Sequence, residues 1–550
     1  MRYLPLAPLL VLLAACPAPT KGPAHPEPPP IPAGLAAYRA LELVPAEASY
    51  VLAARRVATL AEALRGLVEP LRIVDSALTP DRLDQDLRQG LGLSPLQAGD
   101  LDDAGLDLSG DVAVFSTGAS PTVALRIADE GRLSKFLAER TKRITTYIKP
   151  YRGQVLTSWV HASDVRGTFL RLGGYLLVHL ELLAGPTEPK PGADGAPVEN
   201  RAWLDDILAV RESRRSFLGS DDLRWALQQV PERDAVVVVN PPRLVKALRL
   251  LTAKADATCR SLHDGLARLR RVGAGLRLQK REMRGALAVE LAPEAVADLR
   301  AQVVGGPVLP GALYDKAPAR LGWHVRPLYV SELVARHGKS SCGPVARAVA
   351  DWGGALRELG RTHETLLGHL TGGVSAALYE ADERGQGTVH LRGALVAGCG
   401  RDAARAYFLK QLPGPTEGKE TLAGHEVQKV ASETTLTEKA RLALGGGVLR
   451  LVAGDGLMER LLSPKLQSAP PGRLISLRIE PGRLADLRAA LKLLDEKAPP
   501  SSPWGYGYSR RSRSDELDRL ANLVSSAAVL ALDVSLAPPV LRVEMECLLR

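Results

Sequence analysis

Several stretches of this sequence carry residue types at spacings that could do chemistry. His337-Gly-Lys-Ser-Ser341 holds the Gly-Lys-Ser of a phosphate-binding loop. The first glycine of such a loop would fall at position 333, which is Leu333, and the stretch follows a helical pattern where a phosphate loop must follow a strand. It reads as a helix end with a glycine stop. Gly373-Val-Ser-Ala-Ala377 approaches a nucleophile elbow, but its second glycine is Ala377. Ser375 also falls in a strand-like run, which presents no hydroxyl on a strained turn. Asp100, Asp102 and Gly105 fit positions 1, 3 and 6 of a calcium loop; position 5 is Ala104, and position 12 is Asp111, shorter than the usual bidentate Glu. That stretch reads as acidic turn chemistry. The 10 histidines are scattered, and His363 and His369 stand six apart, off the i, i+4 spacing of a zinc helix. These spacings supply no catalytic residue, no cofactor-binding motif and no metal site, and the reading is not an enzyme.

Two stretches survive that screen. The loop 498–514 places Trp504, Tyr506 and Tyr508 beside Arg510, Arg511 and Arg513, in a chain with only 4% aromatic residues. Aromatic faces and guanidinium groups together suit sugar rings or anionic polymers, through stacking and ion pairing. Its Pro, Ser and Gly content opposes regular structure, so it is expected as a surface excursion.

The other is the N-terminus. The apolar run from Tyr3 to Ala15 follows Arg2, carries Pro5 and Pro8, and is too short to cross a hydrocarbon core. Small residues close it, the layout of a signal peptide over 1–15. Leu13-Ala14-Ala15-Cys16 resembles the lipobox of bacterial lipoproteins, in which the leader is cut before the cysteine and that cysteine is lipidated. Several acyl chains on Cys16 would hold the chain firmly to a membrane, where one alone binds marginally. Pro17 stands where lipoproteins retained in the inner membrane of enteric bacteria carry Asp, which points to the outer membrane. Residues 17–34 hold 8 prolines. Such a run extends at about 3.1 Å per residue, so the spacer reaches about 55 Å. Residues 16–40 are expected to be a lipidated, proline-rich tether.

Hydrophobic residues make up 46% of the 550, enough for two to four domains with real cores. No apolar run after the leader is long enough for a transmembrane helix. The net charge of +10 and pI near 9.4 suit anionic headgroups or envelope polysaccharide in an exported protein, not nucleic acid. Beyond Cys16, the chain has Cys259, Cys342, Cys399 and Cys547. Four cysteines in an oxidising compartment allow one or two disulfides in three pairings, or buried thiols.

The elements that must position any site emerge when the chain is compared with itself. Residues 48–64 parallel 319–335, each a strand-like run, a basic residue and a helical pattern. In the same order 108–115 matches 370–378, 151–156 matches 422–430, and 172–180 matches 444–452. Further on, 235–248 matches 474–491 and 273–291 matches 527–548. The predicted architecture is α+β and internally duplicated, with antiparallel sheets and long helices in halves 41–305 and 317–550. A Pro- and Gly-rich linker is expected at 303–313.

The Val44-Pro45-Ala46 start, the Ala104-Gly-Leu-Asp107 turn and the Gly173-Gly-Tyr-Leu-Leu-Val178 strand give residues 41–182 a loose likeness to known proteins. This body resembles families of exported bacterial proteins known only as domains of unknown function. The resemblance implies a duplicated periplasmic fold and no established activity. The function expected is a non-catalytic envelope lipoprotein that binds or scaffolds other envelope proteins or an anionic envelope polymer. The alternatives are a carrier of lipid or another apolar ligand, and an enzyme of unknown class.

Overall fold

The computed structural model describes residues 35–59, 84–85, 97–141, 146–182, 201–251, 266–326, 370–400, 416–430, 440–484 and 527–549. Within those spans it leaves out 36, 119, 162–164, 214, 231–233, 280–281, 384–388, 463–465 and 469–471. The chain divides into two units. The first is Met1–Leu278 with Gly285–Ala292 and Cys342–Val345; the second is Gln279–Arg284 with Pro293–Ser341 and Ala346–Arg550. The class is α+β: helices packed on antiparallel sheet.

The strands of the first unit are β1 (Tyr50–Ala54), β2 (Val112–Ser116), β3 (Thr122–Arg126), β4 (Thr146–Tyr151), β5 (Gln154–His161), β6 (Val165–Leu172), β7 (Tyr175–Leu182), β8 (Ala235–Val239), β9 (Leu269–Gln279) and β10 (Glu282–Leu291). They lie in the order β4-β5-β6-β7-β3-β2-β1-β8-β9-β10. The described helices here are α1 (Ala98–Asp103), α2 (Glu130–Thr141), α3 (Ala202–Ser213), α4 (Asp221–Gln229) and α5 (Pro241–Leu251). Strand β8 is Ala-Val-Val-Val-Val and β1 is Tyr-Val-Leu-Ala-Ala. Unbroken apolar runs of this kind need cover on both sides of the sheet. One face buries Val51, Ala53, Phe115, Leu177 and Val236 against Leu204 and Ile207 of α3 and Leu223 of α4. The other buries Ala54, Val112, Leu125 and Leu176 against Leu101 of α1 and Leu133 of α2. Helix α4 starts where it does because the Ser220 hydroxyl accepts the Leu223 N–H, with Asp221 and Asp222 in the positive first turn.

The first face also takes in Leu35, Tyr38 and Leu41, all under 9% exposed. Their spacing of three puts them on one side of the tight turn around Arg39–Glu42. The folded body therefore begins by residue 35, earlier than the tether boundary at 40 that proline content suggested.

In the second unit come α6 (Pro293–Gln302), β11 (Pro307–Val308), α7 (Gly311–Tyr314), β12 (Ala319–Trp323), β13 (Val374–Glu383), β14 (Val389–Gly398), β15 (Thr416–Leu422), β16 (His425–Val430), β17 (Ala440–Gly445), β18 (Val448–Ala453), α8 (Leu457–Leu462), β19 (Gln467–Ser468), β20 (Arg473–Ile479), β21 (Ala527–Ala537) and β22 (Val540–Leu549). The sheet runs β15-β16-β17-β18-β14-β13-β12-β20-β21-β22. Its core joins Ala377, Val396, Val427 and Val452 to Leu457, Met458 and Leu461 of α8 and Leu313 of α7. The stretch 303–313, expected as a linker, is thus built into this unit. Strand β11 pairs with β19, and Leu309 and Leu313 are 2% exposed.

Two pairs of two-residue turns shape the outer hairpins. Arg152-Gly153 and Ala423-Gly424 have φ of 46° and 74°, and 46° and 78°; Gly173-Gly174 and Gly446-Gly447 have 61° and 80°, and 61° and 74°. Positive φ at both central residues is the turn whose twist matches that of paired strands.

At Gly167 on β6, an added Cβ would overlap the indole of Trp159, which lies across from it on β5 and packs near Phe169 at 5.7 Å between centroids. Gly167→Val should therefore displace Trp159 and cost about 1–3 kcal/mol. Urea denaturation monitored by tryptophan fluorescence measures this; an unchanged midpoint would show that the indole has room to move.

Candidate functional site

Four strands of the first unit place polar side chains directly opposite one another. Ser158 on β5 faces Thr168 on β6, Thr168 faces His179 on β7, and His179 faces Thr122 on β3. The result is a row across the sheet, on the face covered by α3. All four residues are under 9% exposed. The Ser158 and Thr168 hydroxyls are 3.0 Å apart, and Thr122 Oγ1 lies 2.9 Å from His179 Nδ1. Beside this row, buried Arg166 on β6 donates to Glu181 on β7 at 3.2 Å. The indole of Trp203 closes the row from α3, stacked on the His179 ring at 4.4 Å and 6°. Side chains that cannot reach water must find partners within the protein, and this row supplies them laterally.

Burial lowers the His179 pKa to about 4, so the ring is neutral over the physiological range. A hydroxyl hydrogen-bonded to a neutral imidazole is the pairing of a nucleophile with its base. Here Thr122 and His179 are 2% and 5% exposed and an indole is stacked on the imidazole, so the pair is buried in the folded chain. Its chemistry is that of a satisfied core. Sequence inspection treated His179 as one of ten scattered histidines; the available signal was its place between Val178 and Leu180, in a strand apolar on both faces.

A second buried cluster anchors the start of the body. Asp111 on the β2 side accepts the Tyr175 hydroxyl at 2.7 Å and the Ala40 backbone N–H. Burial, then the hydrogen bond to Asp111, raises the Tyr175 pKa far above the usual phenol range. Asp111 was the last position of the trial calcium loop. The rest of that stretch forms α1 and a turn in which Asp107 accepts the Ser109 N–H and hydroxyl, at 2.9 and 2.7 Å. Asp102 and Asp129 flank the Arg132 guanidinium at 3.4 and 3.3 Å. No group of three or more His, Cys, Asp or Glu able to hold a metal ion occurs among the described residues.

In the second unit Ser375 is the second residue of β13, fully buried, and its hydroxyl accepts the Leu309 N–H at 3.2 Å. It joins β11 to the sheet. His324, 3% exposed, lies after β12, its pKa lowered by burial and by Arg473. Over the nearby Gly322, Tyr314 and Ser476 share a hydrogen bond at 3.0 Å. The outer strands carry charge instead: Glu420 takes Lys429 and Arg441, each at 2.9 Å, and Arg441 also reaches Asp455 at 3.1 Å.

Cys399 and Cys547 are free thiols, both with pKa raised by burial, so no disulfide joins those two. Cys259, Cys342 and Cys16 lie outside the described residues, as do Trp504, Tyr506, Tyr508, Arg510, Arg511 and Arg513, the 337–341 stretch, His363 and His369. No helix among the described residues is long and apolar enough to cross a membrane.

No family model matches the chain, and no curated protein does. Among solved structures it is similar to crystal forms of TP0453. Form III gives a TM-score of 0.23 at 8% identity, over 46% of this chain and 80% of that one. Form I gives 0.21 at 8%, and form IV 0.23 at 9%, each over 48% of this chain and 84% of that one. At TM-scores this low the likeness carries no argument on fold or function.

The depressed His179 pKa makes stability depend on pH. The folded state holds the ring neutral, whereas the unfolded chain binds a proton below about 6.5, so stability falls as pH drops from 6.5 towards 4. The loss from this residue is on the order of 3 kcal/mol. The gap between the urea midpoints at pH 7 and pH 4.5 should narrow in Thr122→Ala/His179→Val, which makes the cross-strand Ala–Val pair that Ala394 and Val452 form on β14 and β18. An undiminished gap in that variant would locate the acid sensitivity elsewhere.

Proposed function

We propose that this chain is an exported lipoprotein of the cell envelope, anchored in the outer membrane by acyl chains on Cys16. Its body acts by binding or scaffolding other envelope components, without catalysis. The observation that carries the anchoring is the order Tyr3–Ala15 leader, Leu13-Ala14-Ala15-Cys16, then 8 prolines in residues 17–34. The body's non-catalytic role is supported by how its reactive side chains are used. Thr122, His179, Asp111, Ser375 and Tyr314 are each engaged in hydrogen bonds that hold strands or turns together. Sheet and helices meet through buried apolar layers, as a scaffold requires.

The body is further read as two related halves, 41–305 and 317–550. Matching strand order in the two units supports this, with β1 standing for β12, β8 for β20 and β4 for β15. Each self-matching sequence segment with described residues falls on a corresponding pair of strands. Segments 151–156 and 422–430 share one turn geometry, and 172–180 and 444–452 share another.

Mass spectrometry of the membrane-extracted protein should find a mature chain that begins at modified Cys16, and Cys16→Ser should release the anchor. A retained Met1 would end the lipoprotein reading. For the 498–514 loop, changing Arg510, Arg511 and Arg513 to Ala should weaken binding to an anionic envelope polysaccharide and flatten its salt dependence, because screened charge drives both. Equal binding by the variant at 50 and 300 mM salt, at wild-type strength, would remove the loop from the interaction.

A further inference from the structure

Large apolar side chains exposed on a folded surface call for an explanation when they cluster. In the first unit Ile148 is 66% and Val155 65% exposed. Ile148 lies on β4 and Val155 on β5, with Pro150 directly opposite Val155, so all three share one face next to the Arg152-Gly153 turn. Pro150 is exposed as well. The opposite face of the same hairpin tip is cationic and ordered: Arg201 lies over the Tyr151 ring at 4.7 Å, Tyr151 donates to Asp205 at 2.8 Å, and Arg152 meets Asp205 at 3.4 Å. Lys149 belongs to that side too.

The fold does not require this apolar surface. The corresponding hairpin of the second unit, β15–β16, turns through Ala423-Gly424 with the same backbone. Counting back from that turn, Lys419 stands where Ile148 does, Thr421 where Pro150 does, and Glu426 where Val155 does. Lys419 and Glu426 form an ion pair at 2.9 Å, with about half of each side chain in water. The same position is thus ordinary charged surface in one unit and apolar in the other.

We infer that the β4–β5 hairpin tip is a membrane-interface contact, its Ile148–Pro150–Val155 face entering the headgroup boundary of an anionic bilayer while Lys149, Arg152 and Arg201 meet lipid phosphates. An apolar face with cations on the other side of the same hairpin tip is a surface that anionic lipid retains. Strand addition by a second copy fits less well: β4 pairs only with β5 among the described residues, and Pro150 lacks the N–H that an added strand would need. The chain path agrees. In the β4-β5-β6-β7 meander, the 152–153 and 173–174 turns lie at the same end of the sheet, and Leu43, close to the start of the described chain, packs beside Gly173. The first described turn of the chain therefore packs towards the end of the sheet that carries the hairpin tip. The inference deepens the envelope reading.

The test uses the mature-length chain with Cys16→Ser, so that lipidation plays no part and its failure would be seen separately by mass spectrometry. Co-sedimentation with vesicles of phosphatidylethanolamine and phosphatidylglycerol (3:1) should retain this chain, and vesicles of phosphatidylcholine alone should retain it more weakly. Ile148→Lys/Val155→Glu installs the second unit's ion pair and leaves the net charge unchanged. It should lower the partition coefficient roughly ten- to a hundredfold, the scale set by removing two aliphatic side chains from a bilayer interface. Circular dichroism checks its fold; if that pair unfolds the protein, the isosteric Val155→Thr should still lower partitioning severalfold. Absence of vesicle binding by the parent chain, or equal binding by folded variants, would overturn the proposal. So would a dimer, dissociated by the same substitutions, that binds no vesicles.

Discussion

A sheet covered on both faces leaves its polar side chains no route to water, and most of the particular features of the first unit follow from that. Strands β1 and β8 can be apolar throughout only because α3 and α4 lie on one side and α1 and α2 on the other. Once they do, every hydroxyl, imidazole or guanidinium on an inner position must be paired within the layer. The Ser158–Thr168–His179–Thr122 row meets that requirement across four strands, and Arg166 with Glu181 meets it beside the row. The neutral state of His179 under Trp203 is the electrostatic counterpart: a charged ring there would have no solvent to stabilise it.

The same constraint puts side chains of catalytic type to structural use. Asp111 fastens the Ala40 N–H and the Tyr175 hydroxyl, drawing the first turn of the body onto the sheet. Ser375 fastens the Leu309 N–H, and so holds the segment after β11 onto the sheet of the second unit. Each is a reactive group used as a structural bond, at a place where a missing partner would leave a buried donor or acceptor unsatisfied.

Towards the outer edges, where the helices end, the two units diverge. In the second, the exposed hairpin carries ion pairs among Lys419, Glu426, Glu420, Lys429 and Arg441, which individually contribute little but keep the surface hydrated. In the first, the same turn geometry carries Ile148, Pro150 and Val155. Burial constrains the inner rows of both sheets, whereas the rims answer to whatever lies outside them.

Much of this was legible in the residue order. Period-two apolar patterns and valine runs marked the strands, because side-chain alternation is a local property. Ser375 was readable as a strand residue for the same reason, and Asp107 as turn chemistry. The leader and the proline spacer are likewise statements about composition. Tertiary structure alone decided the rest. That Leu35 and Tyr38 belong to the core, that Leu309 and Leu313 make a presumed linker part of a domain, and that His179 meets Thr122 all depend on partners far along the chain. The exposure of Ile148 and Val155 is of the same kind: an apolar alternation on a strand predicts burial, and only the extent of the covering helices determines where that burial stops.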